Sequence, residues 1–208
     1  MVRPASPAGS TRILPIRIFV EGAAARGNNA LVAEAKRAFS ELIHRATGAR
    51  VHIAPAGSRQ AAYRAFSAAT GCHALLLVDA EASVAEVEQP WAHLKTCDGW
   101  ERPADATDAQ AHLMTQVMET WLLADPAAFA GVAPLDDSKI TKWPALEQVH
   151  KREIHALLER LTGLSLEGGR GTFKSKAFAV LVKVDPTKLA ARCPSADRLF
   201  KTIRTLVS

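Results

Sequence analysis

The sequence predicts an α/β fold: a mostly parallel central sheet flanked by helices, with a helical C-terminal part. Two observations carry this reading. Short apolar runs alternate with amphipathic stretches as far as Val78, and two of the runs stop abruptly at carboxylates. Arg17-Ile18-Phe19-Val20 meets Glu21-Gly22, and Ala74-Leu75-Leu76-Leu77-Val78 meets Asp79-Ala80-Glu81. Runs of this length and composition read as buried strands. Their alternation with helices implies parallel pairing through right-handed crossovers.

The first strand is expected over residues 13–20. A loop over 21–29 follows, carrying Gly22, Gly27 and two asparagines. Residues 30–47 place Leu31, Ala35, Ala38, Phe39, Leu42 and Ile43 on one helical face, and Gly48 supplies the stop. A short strand over 51–53 leads to a second helix over 59–69, with Ser58 as its N-cap. The third strand, 74–78, is apolar at every position, as suits a central strand covered on both faces. Beyond Glu81 the pattern loosens into loop and short helix as far as Asp108. Residues 119–123 read as helix, and the character of 109–118 is left open because Leu113 to Met118 also alternates partially. An apolar stripe predicts a helix over 146–161. A Gly-rich loop at 168–171 precedes two further helices, 174–182 and 196–206.

The chain has 208 residues, 48% of them hydrophobic, which supports one domain with a substantial core. Residues 1–12 are rich in Pro, Ser, Ala and Gly and read as a flexible tail ahead of a single domain over 13–208. No apolar h-region follows Arg3, so the start does not resemble a secretory signal. No apolar run approaches the roughly 20 residues of a membrane span. Three scattered cysteines, Cys72, Cys97 and Cys193, lack metal-ligand spacing and fit reduced thiols in a cytoplasmic protein. Net charge is +5. The basic residues gather between Lys174 and Lys201 while acids mark the strand ends, an asymmetry compatible with a polyanionic partner.

Chemistry in an open α/β sheet sits beyond the carboxyl ends of its strands. Glu21, Asp79 and Glu81 are expected there. If the chain stays extended past Asp79, Asp79 and Glu81 point the same way, because side chains alternate with period two. Gathered carboxylates repel one another unless a hard cation holds them, and an all-oxygen ligand set suits Mg²⁺ or Mn²⁺. The competing reading makes each acid a solvated turn residue or a helix cap.

Further along, Val117-Met118-Glu119-Thr120-Trp121-Leu122-Leu123-Ala124-Asp125 resembles the E-x-E-[ST]-W-[LY]-x-[GA]-D segment of the DUF4276 family of Toprim-like proteins. The Glu-Gly pair closing the first strand and the D-x-E closing the third are similar to the Toprim pattern, and Lys174-Ser175-Lys176 resembles the family's lysine-bearing segment. Val117 departs from the first acidic position, and Glu81 replaces the second Asp of D-x-D. The resemblance implies a Toprim-like (Rossmann-like) sheet. It implies Glu21 as general acid/base or metal ligand, Asp79 and Glu81 as ligands, and Glu119 as a further acid completing the site. It also implies Mg²⁺- or Mn²⁺-dependent phosphodiester chemistry on RNA or DNA, often beside an ATPase partner of the AAA or ABC type in anti-phage defence.

Lys174 and Lys176 follow the Gly-rich loop and are candidates for offsetting charge on a scissile phosphate. Lysines at a helix start oppose the dipole, which points to a ligand there; a solvated face is the equal alternative. Arg26 and Arg59 are candidate phosphate contacts, each at the start of a helix or in the loop before one. Asp125 precedes Pro126 and is either a helix-ending turn or a further acid of the site, and Trp121 reads as core. The Gly-rich loop lacks the G-x-x-x-x-G-K-[ST] spacing, so ATP binding by that route is rejected. The histidines form no metal-ligand pattern, and no G-x-S-x-G is present. Two rival classes remain. One is a non-catalytic sensor subunit that binds a phosphate ligand or a partner ATPase in the same crevice. The other is a nucleotide-binding domain using the 21–29 loop as a cradle. A homo-oligomer is compatible with all three.

Overall fold

The computed structural model describes residues 14–22, 29–131, 140, 143, 145–163 and 173–208, the side chains of 161 and 173–175 excepted. The expected N-terminal tail, the loop bearing Arg26 and the Gly-rich loop at 168–171 lie outside the described residues.

Four strands form one all-parallel sheet: β1 (Ile16–Val20), β2 (His52–Pro55), β3 (His73–Asp79) and β4 (Ala111–Met114), in the order β2-β1-β3-β4. The register pairs Ile18 with Ile53 on one side and with Leu75 on the other. On the far edge Val78 faces Leu113 and Asp79 faces Met114. The helices are α1 (Asn29–Thr47), α2 (Arg59–Ser67), α3 (Pro90–Asp98), α4 (Met118–Leu122), α5 (Lys151–Thr162), α6 (Phe173–Leu181), α7 (Pro186–Arg192) and α8 (Pro194–Val207). This is a Rossmann-like α/β fold with a helical C-terminal part.

Alternation along the strands divides the core into two layers. Ile16, Ile18, Val20, Leu75 and Leu77 face α1 and the C-terminal helices, where Phe39, Leu42, Trp121, Phe178, Leu199 and Phe200 are buried. Phe19, Leu76, Val78 and Leu113 face the opposite layer, with Phe66, Trp91, Leu94 and Trp100. Both faces of β1 and β3 are therefore covered, which explains their near-continuous apolar composition. Ser58 caps α2 by accepting from the Ala61 N–H (3.2 Å).

Some elements differ from expectation. The open stretch before α4 is a strand, β4, entered through a 3-10 turn at Asp108–Gln110. All four β4 residues are buried, including His112, whose Nδ1 lies 3.2 Å from the Arg198 guanidinium. A polar residue that finds its partner only in the fold masks the strand signal. The helix expected over 146–161 divides into a 3-10 turn (Leu146–Gln148) and α5, because His150 adopts extended backbone and caps α5 through the Arg152 N–H. The short α7 was not anticipated; Asp185 caps it and Pro186 opens it.

Candidate acidic site at the sheet switch point

From β1 the chain crosses to β2 on one side, and from β2 to β3 on the other side of β1. Between β1 and β3 the connections diverge, leaving a crevice beyond their carboxyl ends, the usual place for a ligand in such sheets. Glu21 follows β1 directly, and Asp79 is the last residue of β3. Past Asp79, the Ala80 and Glu81 N–H groups donate to the carbonyls of Met114 (3.0 Å) and Gln116 (2.8 Å), which guides the chain round the rim. The Thr115–Gln116 peptide is cis.

Glu21, Asp79 and Glu81 each bring a carboxylate oxygen within 4.8 Å of the others, and all three are half-buried. They converge by a route other than strand parity. Glu81 has φ +63°, a left-handed backbone rare for a residue bearing a side chain, so the extended geometry ends at Asp79. Local backbone conformation, rather than period two, returns Glu81 to the cluster.

Hydrogen bonds fix the centre of the cluster. The Asp79 N–H donates to Glu21 Oε2 (3.2 Å), and the Met118 N–H donates to Asp79 Oδ1 (2.8 Å). Burial pushes the Asp79 carboxyl well above the usual carboxylate range. The charges of Glu119, Glu21 and Glu81 push it further, and the Met118 N–H offsets part of the effect. Glu119, on α4, is outside the three-membered cluster. It instead lines a cavity of about 90 Å³ with Glu21, Asp79, Gly22, Gly57 and Phe178. Glu119 is only 9% exposed, and no hydrogen bond or ion pair reaches its carboxylate among the described residues. Glu21 and Asp79 are thus shared between a Glu81 side and a Glu119 side. Gly22 and Gly57 close one rim, each donating its N–H to the other's carbonyl (3.2 and 3.3 Å) with φ of +90° and +84°. That backbone geometry favours glycine.

Basic groups flank the acids. Arg59 Nε lies 3.8 Å from Glu21 Oε2, and its Nη2 donates to Asp98 Oδ2 (2.7 Å). The guanidinium carbon lies 5.5 Å from the centre of the Trp100 ring. Arg59 Nε is buried without a hydrogen-bond partner. Lys151, at the start of α5, forms an ion pair with Glu81. Its backbone N–H donates to Gln116 Oε1 (3.0 Å), and the Gln116 amide donates to Ser83 Oγ (3.3 Å). Sequence reasoning missed Lys151 and Gln116. With the helix expected from residue 146, Lys151 falls in its second turn, so the first-turn signal applied to Lys174 does not single it out from sequence.

The remaining candidates fall elsewhere. Lys174 lies in the first turn of α6, one turn before Phe178 of the cavity wall, and Lys176 is exposed. Asp125 is not part of the site: its buried carboxylate accepts from the Asp185 N–H (3.1 Å) and from Lys188 Nζ (2.7 Å). Several basic residues near the C-terminus are also internal tethers. Lys183 donates to the Ala130 carbonyl, Arg192 to those of Leu123 and Ile140, and Arg204 to that of Ala46. Arg198, nearly buried, donates to the Ala111 and Asp108 carbonyls and pairs with Glu88.

Fold and site together define a Rossmann-like α/β protein with a carboxylate cluster at its switch point. The chain belongs to the DUF4276 family, described as a domain of unknown function, which matches residues 20–204. No curated protein and no solved structure matches it. No described helix is long and apolar enough to cross a membrane.

Proposed function

We propose that this protein is a Toprim-like, metal-dependent nuclease that cleaves phosphodiester bonds in RNA or DNA. The observation that carries the proposal is the convergence of Glu21, Asp79 and Glu81 within 4.8 Å at the sheet switch point. The donor set fits Mg²⁺ or Mn²⁺, because every ligand atom is a hard oxygen. The Glu119 carboxylate, buried without a hydrogen bond or ion pair among the described residues, fits as well, as does the crowding of carboxylates that raises the Asp79 carboxyl.

Glu21, Asp79 and Glu119, with Glu81, are the residues that would hold the ion. When bound, it would polarise the phosphodiester and make a coordinated water more acidic. Glu21 accepts the proton of the attacking water at a carboxylate oxygen. Lys174 and Lys176 meet the charge that builds on the scissile phosphate. Arg59, whose guanidinium lies beside Glu21, orients a neighbouring phosphate oxygen, and Arg26, outside the described residues, is the second candidate for that role. The protein acts in the cytoplasm, in anti-phage defence, beside an AAA- or ABC-type ATPase.

A second reading rests on the same crevice. The pairing of Glu21 with Arg59 and of Glu81 with Lys151 favours a non-catalytic module that binds a phosphate ligand or a partner.

Titration calorimetry with Mn²⁺ on the wild type, Glu21→Gln and Asp79→Asn, followed by assays on RNA and DNA, separates these readings. The nuclease reading expects binding in the wild type, its loss in both variants, and Mn²⁺-dependent cleavage lost with it. Binding without cleavage, alone or with the ATPase, would move the assignment to the binding module. Absence of Mn²⁺ binding with and without nucleic acid would sink the metal site.

A further inference from the structure

The acidic site already contains one cation. Lys151 Nζ bonds a Glu81 oxygen, so an ammonium group lies at the edge of the three-carboxylate cluster. Its placement is built rather than incidental. The Gln116 carbonyl accepts the Glu81 N–H, and the Gln116 side-chain oxygen accepts the Lys151 N–H. One residue therefore holds both partners of the ion pair in register. The lysine and Glu81 are each about one-third exposed, so the pair is only partly screened by solvent. On the opposite side, no cationic group pairs with Glu119 among the described residues.

We propose that Lys151 is a resident counter-cation at Glu81 that competes with a divalent ion for the Glu21–Asp79–Glu81 cluster and holds its affinity down. The inference rests on the metal reading above and deepens it. Lys151 partly neutralises Glu81, so an ion that Glu81 helps to hold must compete with the ammonium group. A divalent ion reaching Glu81 would have to displace an ammonium group that Gln116 keeps in place. Two like charges within a few ångströms repel strongly in a poorly hydrated crevice, so Lys151 also weakens binding of the ion. The replacement of the second Asp by Glu in D-x-E has a local reason here, because the longer side chain at position 81 reaches a lysine from α5.

The test is Mn²⁺ titration calorimetry on the full chain, with Glu21→Gln as the control for the site itself. The wild type is expected to bind Mn²⁺. Lys151→Gln, which removes the charge, is expected to bind Mn²⁺ about tenfold more tightly. Lys151→Arg, which keeps the charge, should match the wild type. Thermal unfolding of each variant without metal checks that the fold is intact. If Lys151→Gln binds no more tightly than the wild type, while Glu21→Gln still abolishes binding, the metal site stands and the counter-cation proposal fails. If neither wild type nor Lys151→Gln binds Mn²⁺, the metal reading fails and takes the proposal with it.

Discussion

Asp79 is the residue at which folding and the proposed function conflict. Its carboxyl is held above the usual range, first by burial and then by Glu119, Glu21 and Glu81. The native state therefore binds a proton more tightly than the unfolded chain, and ionised Asp79 works against folding at neutral pH. Asp79→Asn keeps an oxygen for the Met118 N–H while removing the charge. The metal-free variant should be more stable than the wild type in urea unfolding near neutral pH with chelator, and should not bind Mn²⁺. A less stable variant would mean that the ionised group is a net structural contributor. At this scale the sequence reveals part of the site. An apolar run broken by a carboxylate marks Glu21 and Asp79, because the carboxyl ends of strands in an open α/β sheet border the crevice. It does not reveal Lys151, which meets Glu81 across 70 residues of chain through contacts that only the fold creates. Nor does it reveal the left-handed turn at Glu81, since that conformation is set by the Gln116 carbonyl.

Among the elements, α7 shows how an acid that resembles a site residue serves structure instead. Asp125 accepts from the Asp185 N–H just before α7 and from Lys188 within it, while Asp185 caps the helix through the Thr187 N–H (2.7 Å). The carboxylate anchors α7 to the segment that follows α4. Asp125→Ala leaves a backbone donor without its acceptor and should cost about 1–3 kcal/mol in urea unfolding, with Mn²⁺ affinity unchanged. A loss of metal affinity in a folded variant would return Asp125 to the site. The elements were legible wherever one face alone is apolar. The stripe of α1 is buried at Ala35, Ala38, Phe39, Leu42 and Ile43, as its spacing predicts, with Leu31 packed against it. The β4 strand was not, because its four buried residues include a histidine and lie against a 3-10 turn. Within the basic C-terminal run, Lys183 and Arg192 reach separate backbone carbonyls, contacts that the sequence alone does not show.

Across the whole molecule, two buried titratable groups set opposing pH dependences of stability. His112 is held neutral, its pKa lowered to about 3 by burial and then by the Arg198 charge. The unfolded chain takes up a proton at this residue below its ordinary value of 6.5, so the contribution is present above that pH and fades as pH falls towards 3. Glu147 behaves in the reverse sense. It joins the turn before α5 to α8 by accepting from the Ser195 N–H (3.2 Å) and hydroxyl, and the Trp121 indole N–H reaches the same hydroxyl (3.4 Å). Burial raises its pKa from 4.5 to about 7, with the Ser195 hydrogen bonds opposing the shift. Here the native state binds the proton more tightly, so the stabilisation is complete below 4.5 and is lost as pH rises through 7. Glu147→Gln keeps an acceptor for Ser195 and cannot ionise. Raising the pH from about 4 to about 8 should cost the wild type up to about 3 kcal/mol relative to this variant. Urea unfolding of both proteins at the two pH values measures the difference, and His112, present in both, cancels from it. Parallel pH profiles would mean that water or local opening solvates Glu147 in the native state, and that the junction between α5 and α8 is looser than its packing suggests.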